Sequence, residues 1–357
     1  MRVLYFGTYE RDYPRNAQVI SCLRDAGVDV IERHAGVWEQ RRHKWSLGIG
    51  SVLRVARAEL QLFARRPHGA FDAVIVGYPG HFDVPAARRI ARGRPLVFNP
   101  LVSLWDTVVG DRGRFGQHSA GAGVLRQVDR IAFRKADLVV ADTEQHARFF
   151  RETFELPRDR VEVCLVGAEE RLFRPGWQPP GEFRVLFVGK LIPLHGHDVI
   201  LEAARLAPEV AFRVVGSGQL EPLLETRPPN VEWLPWVEYE LLPAELQSAG
   251  CALGIFSTNA KAARVIPNKA FQAIACGTPL VTADTPAARE LLVDGESAIL
   301  VPPGDPTALA AAVRRLASEP ELARRIGEGG LAAYRAHASE EVLGVRWRSL
   351  LERLVTA

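Results

Sequence analysis

The chain is expected to fold as two doubly wound parallel α/β domains in series. Short β-branched runs alternate with helix-period segments along its whole length, that alternation breaks once near residue 173, and 357 residues with 47% apolar content exceed one ordinary core. In the first half the strand candidates are RVLYF (2–6), VDVI (28–31), AVIVG (73–77), PLVF (95–98), LVVAD (138–142) and VEVCLV (161–166). Helical segments such as NAQVISCLRDAG, closed by Gly27, lie between them. The pattern stops at FRPGWQPPGE (173–182), which holds three prolines and two glycines and has no periodicity, as an interdomain linker would. It resumes with RVLFVGK (184–190), AFRVVGSG (211–218), NVEWL (230–234), CALGIF (251–256), TPLVTAD (278–284) and SAILVPPG (297–304). The expected division is 1–172, linker 173–182, 183–332, and a helical tail 333–357.

Composition narrows the function. A net charge of +3 argues against a general nucleic-acid binder, and four scattered cysteines without CxxC indicate neither a disulfide framework nor a zinc site. MRVLYFG is too short for a signal peptide and no apolar run reaches transmembrane length, so a soluble or peripheral cytoplasmic protein is expected.

Ligands of doubly wound sheets sit beyond the carboxyl ends of the strands. There the second half places Gly189, Lys190, Pro193, His195 and Gly196, then Gly216-Ser217-Gly218, then RVIPNKAFQAIACGTPLV (264–281). Together they offer Lys190, His195, Arg264 and Lys269, bare glycine backbone, and the free N–H groups of a helix starting near Asn268. Cations and a helix N-terminus both stabilise anionic oxygens, so a diphosphate suits the set. Glu290, in AARELLVDGE, is placed to meet hydroxyls. Each piece has a plainer reading alone: a lone GxG marks a tight turn, His195 a loop or cap, and Lys190 or Lys269 a solvated surface. Their convergence on one sheet edge is what favours a site.

The segments VGKLIPLHGHDVILEAARL, VVGSGQLEPLL and GIFSTNAKAARVIPNKAFQAIACGTPLVTADTPAARELLVDGESAILVPPGDPTALAAAV resemble the donor-binding domain of family 4 glycosyltransferases, which have the GT-B fold. The likeness runs from about 184 to 330 and is most similar to the branch with IPLHG and PNK motifs; GTYERDYPRN, YPGHFDVPAA, PLVSLWDTVVGDR and DTEQHARFF resemble the same branch. It implies two Rossmann-like domains facing each other across a cleft, with a last helix crossing back to the first. It also implies transfer of a sugar from a nucleotide-diphosphate donor to an acceptor hydroxyl with retention of configuration, in polysaccharide, glycolipid or glycosylated-metabolite synthesis.

Two positions depart from the family. Many members carry two glutamates, with seven residues between them, where this chain has Arg264 and Gln272. Arg264 cannot accept from a sugar hydroxyl but can pair with a diphosphate or a sugar carboxylate, and Gln272 can bond a ribose hydroxyl without charge assistance. The family's phosphate-binding Arg and Lys fall at Lys190 and His195, so one fixed charge becomes titratable. With Gly7, Gly216, Gly218, Val265, Ile266, Asn268, Lys269 and Glu290 these complete the expected donor set.

On the acceptor side, Asp106 stands where many members have a histidine facing the reacting carbon. It would orient the acceptor hydroxyl or stabilise positive charge on the sugar ring, or else serve as an Asx cap. His81 and the pair Asp111-Arg112, on neighbouring loops, are second-rank acceptor candidates, and Tyr13, Arg15 and Asn16 complete the acceptor wall, Asn16 alternatively being an N-cap. Lys190, Arg264 and Asp106 are the expected catalytic groups. No DxD occurs, no metal ligand set is expected, and no cofactor beyond the donor substrate is implied.

Two other readings stand beside transfer. A non-catalytic nucleotide-sugar-binding partner of another transferase fits the two replaced glutamates. A GT-B epimerase or phosphorylase fits less well, lacking a carboxylate pair or a cofactor-binding lysine segment. Finally, residues 33–70 hold eight Lys or Arg against two Glu, with Trp38, Trp45 and the amphipathic run SVLRVARAELQLFARR. This segment is either a dock for an anionic membrane bearing a lipid-linked acceptor, or a core-facing helix with a solvated basic face.

Overall fold

The computed structural model describes residues 1–11, 13–37, 58, 62 and 69–356. They form two compact units, Met1–Leu165 with Glu340–Ala357, and Val166–Ser339.

The first unit is built on six parallel strands: β1 (Arg2–Gly7), β2 (Asp29–His34), β3 (Ala73–Val76), β4 (Leu96–Phe98), β5 (Leu138–Ala141) and β6 (Val161–Val163), in the order β2-β1-β3-β4-β5-β6. Alternation along each strand decides which face its side chains meet. Val3, Tyr5, Ile75, Val97, Leu138 and Val140 pack with the helices Pro14–Asp25 and Glu340–Thr356, through residues such as Val19, Leu23, Leu343 and Trp347. Leu4, Phe6, Val74, Val76, Phe98, Val139 and Ala141 pack instead with Ala87, Phe133 and Phe150 of the helices Val84–Ala91, Ala120–Lys135 and Glu144–Phe154. Both faces are covered, which is why these strands read as apolar runs rather than as alternating ones.

The second unit repeats the plan with β7 (Arg184–Val188), β8 (Ala211–Val215), β9 (Val231–Leu234), β10 (Cys251–Leu253), β11 (Leu280–Ala283) and β12 (Ile299–Val301), in the order β12-β11-β10-β7-β8-β9. Strand order therefore reverses between β7 and β10, where the loops leave in opposite directions and open a crevice. Val185, Phe187, Val214, Leu253 and Val281 share a core with the helices His197–Leu206 and Pro306–Ser318. The Pro- and Gly-rich segment 173–182 lies in this unit. Gly176 and Trp177 donate their N–H groups to Cys276 O (both 3.2 Å), and the Trp177 indole N–H reaches Ala249 O at 2.6 Å.

All twelve expected strands are present, their ends differing by up to three residues. The basic segment that raised membrane docking, with Trp38 and Trp45, lies outside the described residues apart from 33–37, Ala58, Leu62, 69 and 70; Ala58 and Leu62 are buried. Among the described residues no helix is long and apolar enough to cross a membrane.

Candidate functional site

The loops after β7, β8 and β10 are locked together at the point of strand reversal. Leu191 N–H donates to Ser217 O (3.1 Å), Leu220 N–H to Leu191 O (3.0 Å), and Phe256 N–H to His195 O (3.1 Å). Gly216, at φ +146°, makes this possible, since a Cβ there would lie 1.8 Å from Gly189 O. A Cβ on Gly218 would lie 2.6 Å from Leu191 O, and the Gly218 N–H donates to the Glu221 carboxylate at 2.7 Å. These two glycines therefore serve close packing of two loops. His195 ends the short turn Pro193–His195 and holds it through a 2.6 Å contact between Nδ1 and Lys190 O. The Lys190 side chain is exposed and its Nζ stands 6.0 Å from the centre of the Trp236 ring.

Lys269 is the least expected member of the cluster. It is the second residue of the nine-residue helix Asn268–Cys276, capped by Pro267 with no side-chain cap. Its side chain turns inward, leaving the residue 8% exposed. Nζ lies 3.6 Å from the centre of the Phe187 ring and would touch a Cβ on Gly189 at 2.8 Å; among the described residues it has no hydrogen-bond acceptor. A ring face repays only part of what an ammonium loses on leaving water, and burial holds the amine well below its ordinary pKa. His197, buried edge-on against Phe187 at 4.7 Å between ring centres, is pushed down to about 3 by burial and then by the Lys269 charge. An anion placed here would meet a cation with nothing else to bond and the N–H groups of an uncapped helix.

The remaining donor candidates lie on neighbouring turns and on the same helix of the second unit. Arg264 closes the turn Ala262–Arg264 and is half-buried, and that turn is tied to the loop after β11 by Ala287 N–H to Ala263 O (3.3 Å). Val265 and Ile266 are buried, and Val265 packs with Ile255 and Ala262. Asn268 opens the helix at its half-exposed end. Gln272 is buried and donates to the Tyr239 hydroxyl at 3.3 Å. Glu290 is exposed on the turn Ala288–Glu290.

In the first unit the structure corrects three acceptor candidates. Arg15 is 0% exposed; its guanidinium donates to Asn99 Oδ1 (3.1 and 3.0 Å), Leu165 O (2.7 Å) and Cys164 O (3.1 Å). Those bonds make it a tie between β4 and the end of the sheet rather than a sugar ligand. Asn16 is also wholly buried, accepting from Tyr5 Oη and Tyr78 N (both 2.9 Å) and donating to Glu10 O (2.8 Å) and Tyr78 O (2.7 Å). Its four partners leave nothing for a ligand, and it is no N-cap either, because Tyr13 holds that position with Pro14 next. His81 is buried, with Nδ1 against Pro79 O, Nε2 3.0 Å from Val102 O, and Asp129 3.5 Å away. Burial holds its pKa down while Asp129 and the two carbonyls pull it up.

Tyr13 is half-buried, with its ring 4.5 Å from that of Tyr78. Gly7 ends β1 against Asp83, whose carboxylate accepts from Thr8 N (2.7 Å) and Thr8 Oγ1 (3.1 Å). Asp106 is buried and opens a π-helix, Asp106–Asp111, with Trp105 at the cap position; it stands inside the element and not at its cap. Asp111 and Arg112 close the same element, with Arg112 N–H bonded to Thr107 O at 3.0 Å. Asp83, Asn99, Asp129 and His197 carry this scaffolding and were not singled out by the sequence. Asp83 before Val-Pro reads as a helix cap, and nothing local shows that its carboxylate reaches back 75 residues to Thr8.

Residues 182–319, within the second unit, match the family model of glycosyl transferases group 1. Over 364 residues the chain is 29% identical to the D-inositol 3-phosphate glycosyltransferase of Nocardioides sp., covering 91% of this chain and 77% of that one. It is 31% identical over 324 residues to the protein of that name from Geodermatophilus obscurus, covering 78% and 66%, and 29% identical over 266 residues to that from Thermomonospora curvata, covering 62% and 56%. The chain thus spans from about half to three-quarters of the length of these relatives. Among solved structures, sucrose-phosphate synthase from Thermosynechococcus elongatus superposes with a TM-score of 0.74 at 17% identity, covering 99% of both chains. Anabaena HepE in complex with UDP-glucose gives 0.71 at 18% identity, covering 99% of this chain and 100% of that one. The fold is that of the GT-B glycosyltransferases.

Proposed function

We propose that this protein is a retaining glycosyltransferase that moves a sugar from a nucleotide-diphosphate sugar to an acceptor hydroxyl, with the donor diphosphate held at the strand reversal of the second unit. The observation that carries the proposal is Lys269, a buried lysine amine without a hydrogen-bond acceptor among the described residues, at the mouth of an uncapped helix and inside the stretch that matches the glycosyl transferases group 1 family model. Support comes also from the UDP-glucose bound by Anabaena HepE, which shares the fold. Retention of configuration is carried over from the family resemblance.

In this reading Lys269 and the first N–H groups of its helix neutralise the leaving diphosphate, with Lys190 and Arg264 completing the charge from the flanking loops. Such preorganised donors act where negative charge develops, and losing one costs about 2.7–4 kcal/mol of barrier. Gln272 and Glu290 are assigned to the nucleoside and sugar hydroxyls, and Asp106 of the first unit to the acceptor or to the positive charge of an oxocarbenium-like sugar. The acceptor is a sugar, a lipid-linked sugar or a small molecule with a free hydroxyl. The domain roles follow: residues 1–172 for the acceptor and 183–332 for the donor.

A second reading, a nucleotide-sugar-binding partner without turnover, is favoured by Arg264 and Gln272 standing where many family members have glutamates. The experiment is a thermal-shift screen against UDP, GDP, ADP and TDP and their sugar conjugates, with and without magnesium. A native-state ligand at a hundredfold excess over its dissociation constant stabilises by about 2.7 kcal/mol. A shift with one nucleotide that vanishes in Lys190→Ala and Arg264→Ala supports the donor site; an unchanged melt with every nucleotide removes it.

A further inference from the structure

Asp129 lies in the middle of the helix Ala120–Lys135, on its buried side, with no exposed surface. Its carboxylate spends all its reach on one loop of the chain, the one between β4 and the π-helix Asp106–Asp111. Oδ1 accepts from Leu104 N (3.1 Å), and Oδ2 from Trp105 N (2.9 Å) and from Ser103 Oγ (2.6 Å). Ser103 Oγ in turn accepts from the backbone N–H of Asp106 at 3.0 Å, and the Ser103 carbonyl takes the Thr107 hydroxyl at 2.7 Å. The Nε2 of His81 stands 3.5 Å from the same carboxylate and 3.0 Å from Val102 O, closing the loop from its other side.

The order of donors in this chain is forced. A serine hydroxyl has one proton, and a carboxylate can only accept. Once Asp129 takes that proton, the only thing Ser103 can offer Asp106 N–H is a lone pair, so the hydroxyl is held in a single orientation. The element it starts is a π-helix, a geometry of poor intrinsic stability that persists where neighbours hold it and that recurs at functional sites. We infer that Asp129 is a positioning residue that fixes the start of the Asp106–Asp111 π-helix through Ser103, and thereby the direction in which Asp106 is presented. Burial pushes the Asp129 carboxyl up, and the three donors with His81 work against that push. The catalytic consequence rests on the assignment of Asp106 proposed above; the placement of the loop does not.

Two variants test it. Ser103→Ala deletes one oxygen, leaving Asp129 bonded to Leu104 and Trp105 but Asp106 N–H without its acceptor. Asp129→Asn keeps the shape and puts an NH₂ group at one of the two oxygen positions, so that either Leu104 N–H, or Trp105 N–H and the Ser103 hydroxyl, lose their acceptor. Hydrogen exchange in the segment 103–111 is measured in both, next to melting curves, and so are the kcat and donor KM of any turnover. The inference expects exchange over 103–111 to quicken about 5- to 10-fold, the worth of one lost hydrogen bond, with the remaining segments unchanged. It expects kcat to fall about 10- to 100-fold, as for a reacting group displaced by about 1 Å, at an unchanged donor KM. Unchanged exchange over 103–111 in both folded variants overturns it, and so does Ser103→Ala turning over at the wild-type rate while Asp106→Ala is inactive. If the unmodified protein shows no turnover with any donor, the transferase reading fails, and the exchange result alone decides the role of Asp129.

Discussion

Replacing Lys269 with Met should make the empty protein more stable and the nucleotide-binding protein worse. The ammonium has no acceptor and sits against Phe187 at 3.6 Å, so a thioether of similar length keeps the packing and removes a buried charge. Exchanging buried ionic groups for packed apolar ones stabilises by about 1–4 kcal/mol. For a unit of this size each kcal/mol is about 2–4 °C of Tm. The gain must depend on pH. Burial lowers the folded-state pKa of Lys269, so the unfolded chain holds more protons between that value and the unfolded value near 10.4, and wild-type stability rises with pH through that window. Lys269→Met lacks this slope; its advantage is largest at the acid end of the range and shrinks towards pH 10. Loss of a charge-assisted hydrogen bond of about 1.5–3 kcal/mol weakens a nucleoside diphosphate about 10- to 150-fold. Calorimetry of melting from pH 6 to 10, with and without UDP or whichever nucleotide the screen selects, reads both effects. A Lys269→Met protein that melts lower than wild type without ligand, and binds the nucleotide equally well, refutes the reasoning.

Three further expectations follow from the same contacts. His197, with a folded pKa of about 3 against 6.5 unfolded, binds its proton in the unfolded chain first, so wild-type stability is lost as pH falls from 6.5 towards 3; His197→Gln should flatten that acid limb in urea titrations at pH 4 and pH 7. Gly216→Ala puts a Cβ 1.8 Å from Gly189 O at a left-handed φ; it should cost about 2 kcal/mol or more and abolish nucleotide binding, whereas Gly181→Ala, with no neighbour at its Cβ, should leave both within about 0.5 kcal/mol. Arg15→Lys strips the fork that serves Asn99, Leu165 and Cys164 and should lower the urea midpoint by more than about 3 kcal/mol of stability without altering donor affinity.

The sheets were legible because period and composition are local. The central strands β1, β3, β4, β5, β7, β8, β10 and β11 are short, mostly buried apolar runs bounded by turn residues, which is what made them readable. The convergence of the loops after β7, β8 and β10 was legible for the same reason: Gly189, His195, Gly216 and Lys269 lie within a few residues of strand or helix ends. What could not be read was the direction of a polar side chain. Arg15, Asn16 and His81 look like ligands in a loop-rich segment, yet each finds backbone or side-chain partners as far as 150 residues away. Asp129 shows the converse. Nothing in RQVDRIAF marks it off from a solvated helix residue, and only the packing of that helix aims it at Ser103.

The most direct test of the account is to incubate the purified protein with the nucleotide sugar that the melting screen selects and follow the reaction by proton NMR, reading both nucleoside diphosphate release and the configuration of the freed or transferred sugar. The account predicts release that depends on Lys190, Arg264 and Lys269 and yields first the anomer of the donor. A protein that binds the nucleotide sugar but leaves it intact with every acceptor offered would instead be a binding partner, and one that yields the opposite anomer first would contradict the retaining mechanism.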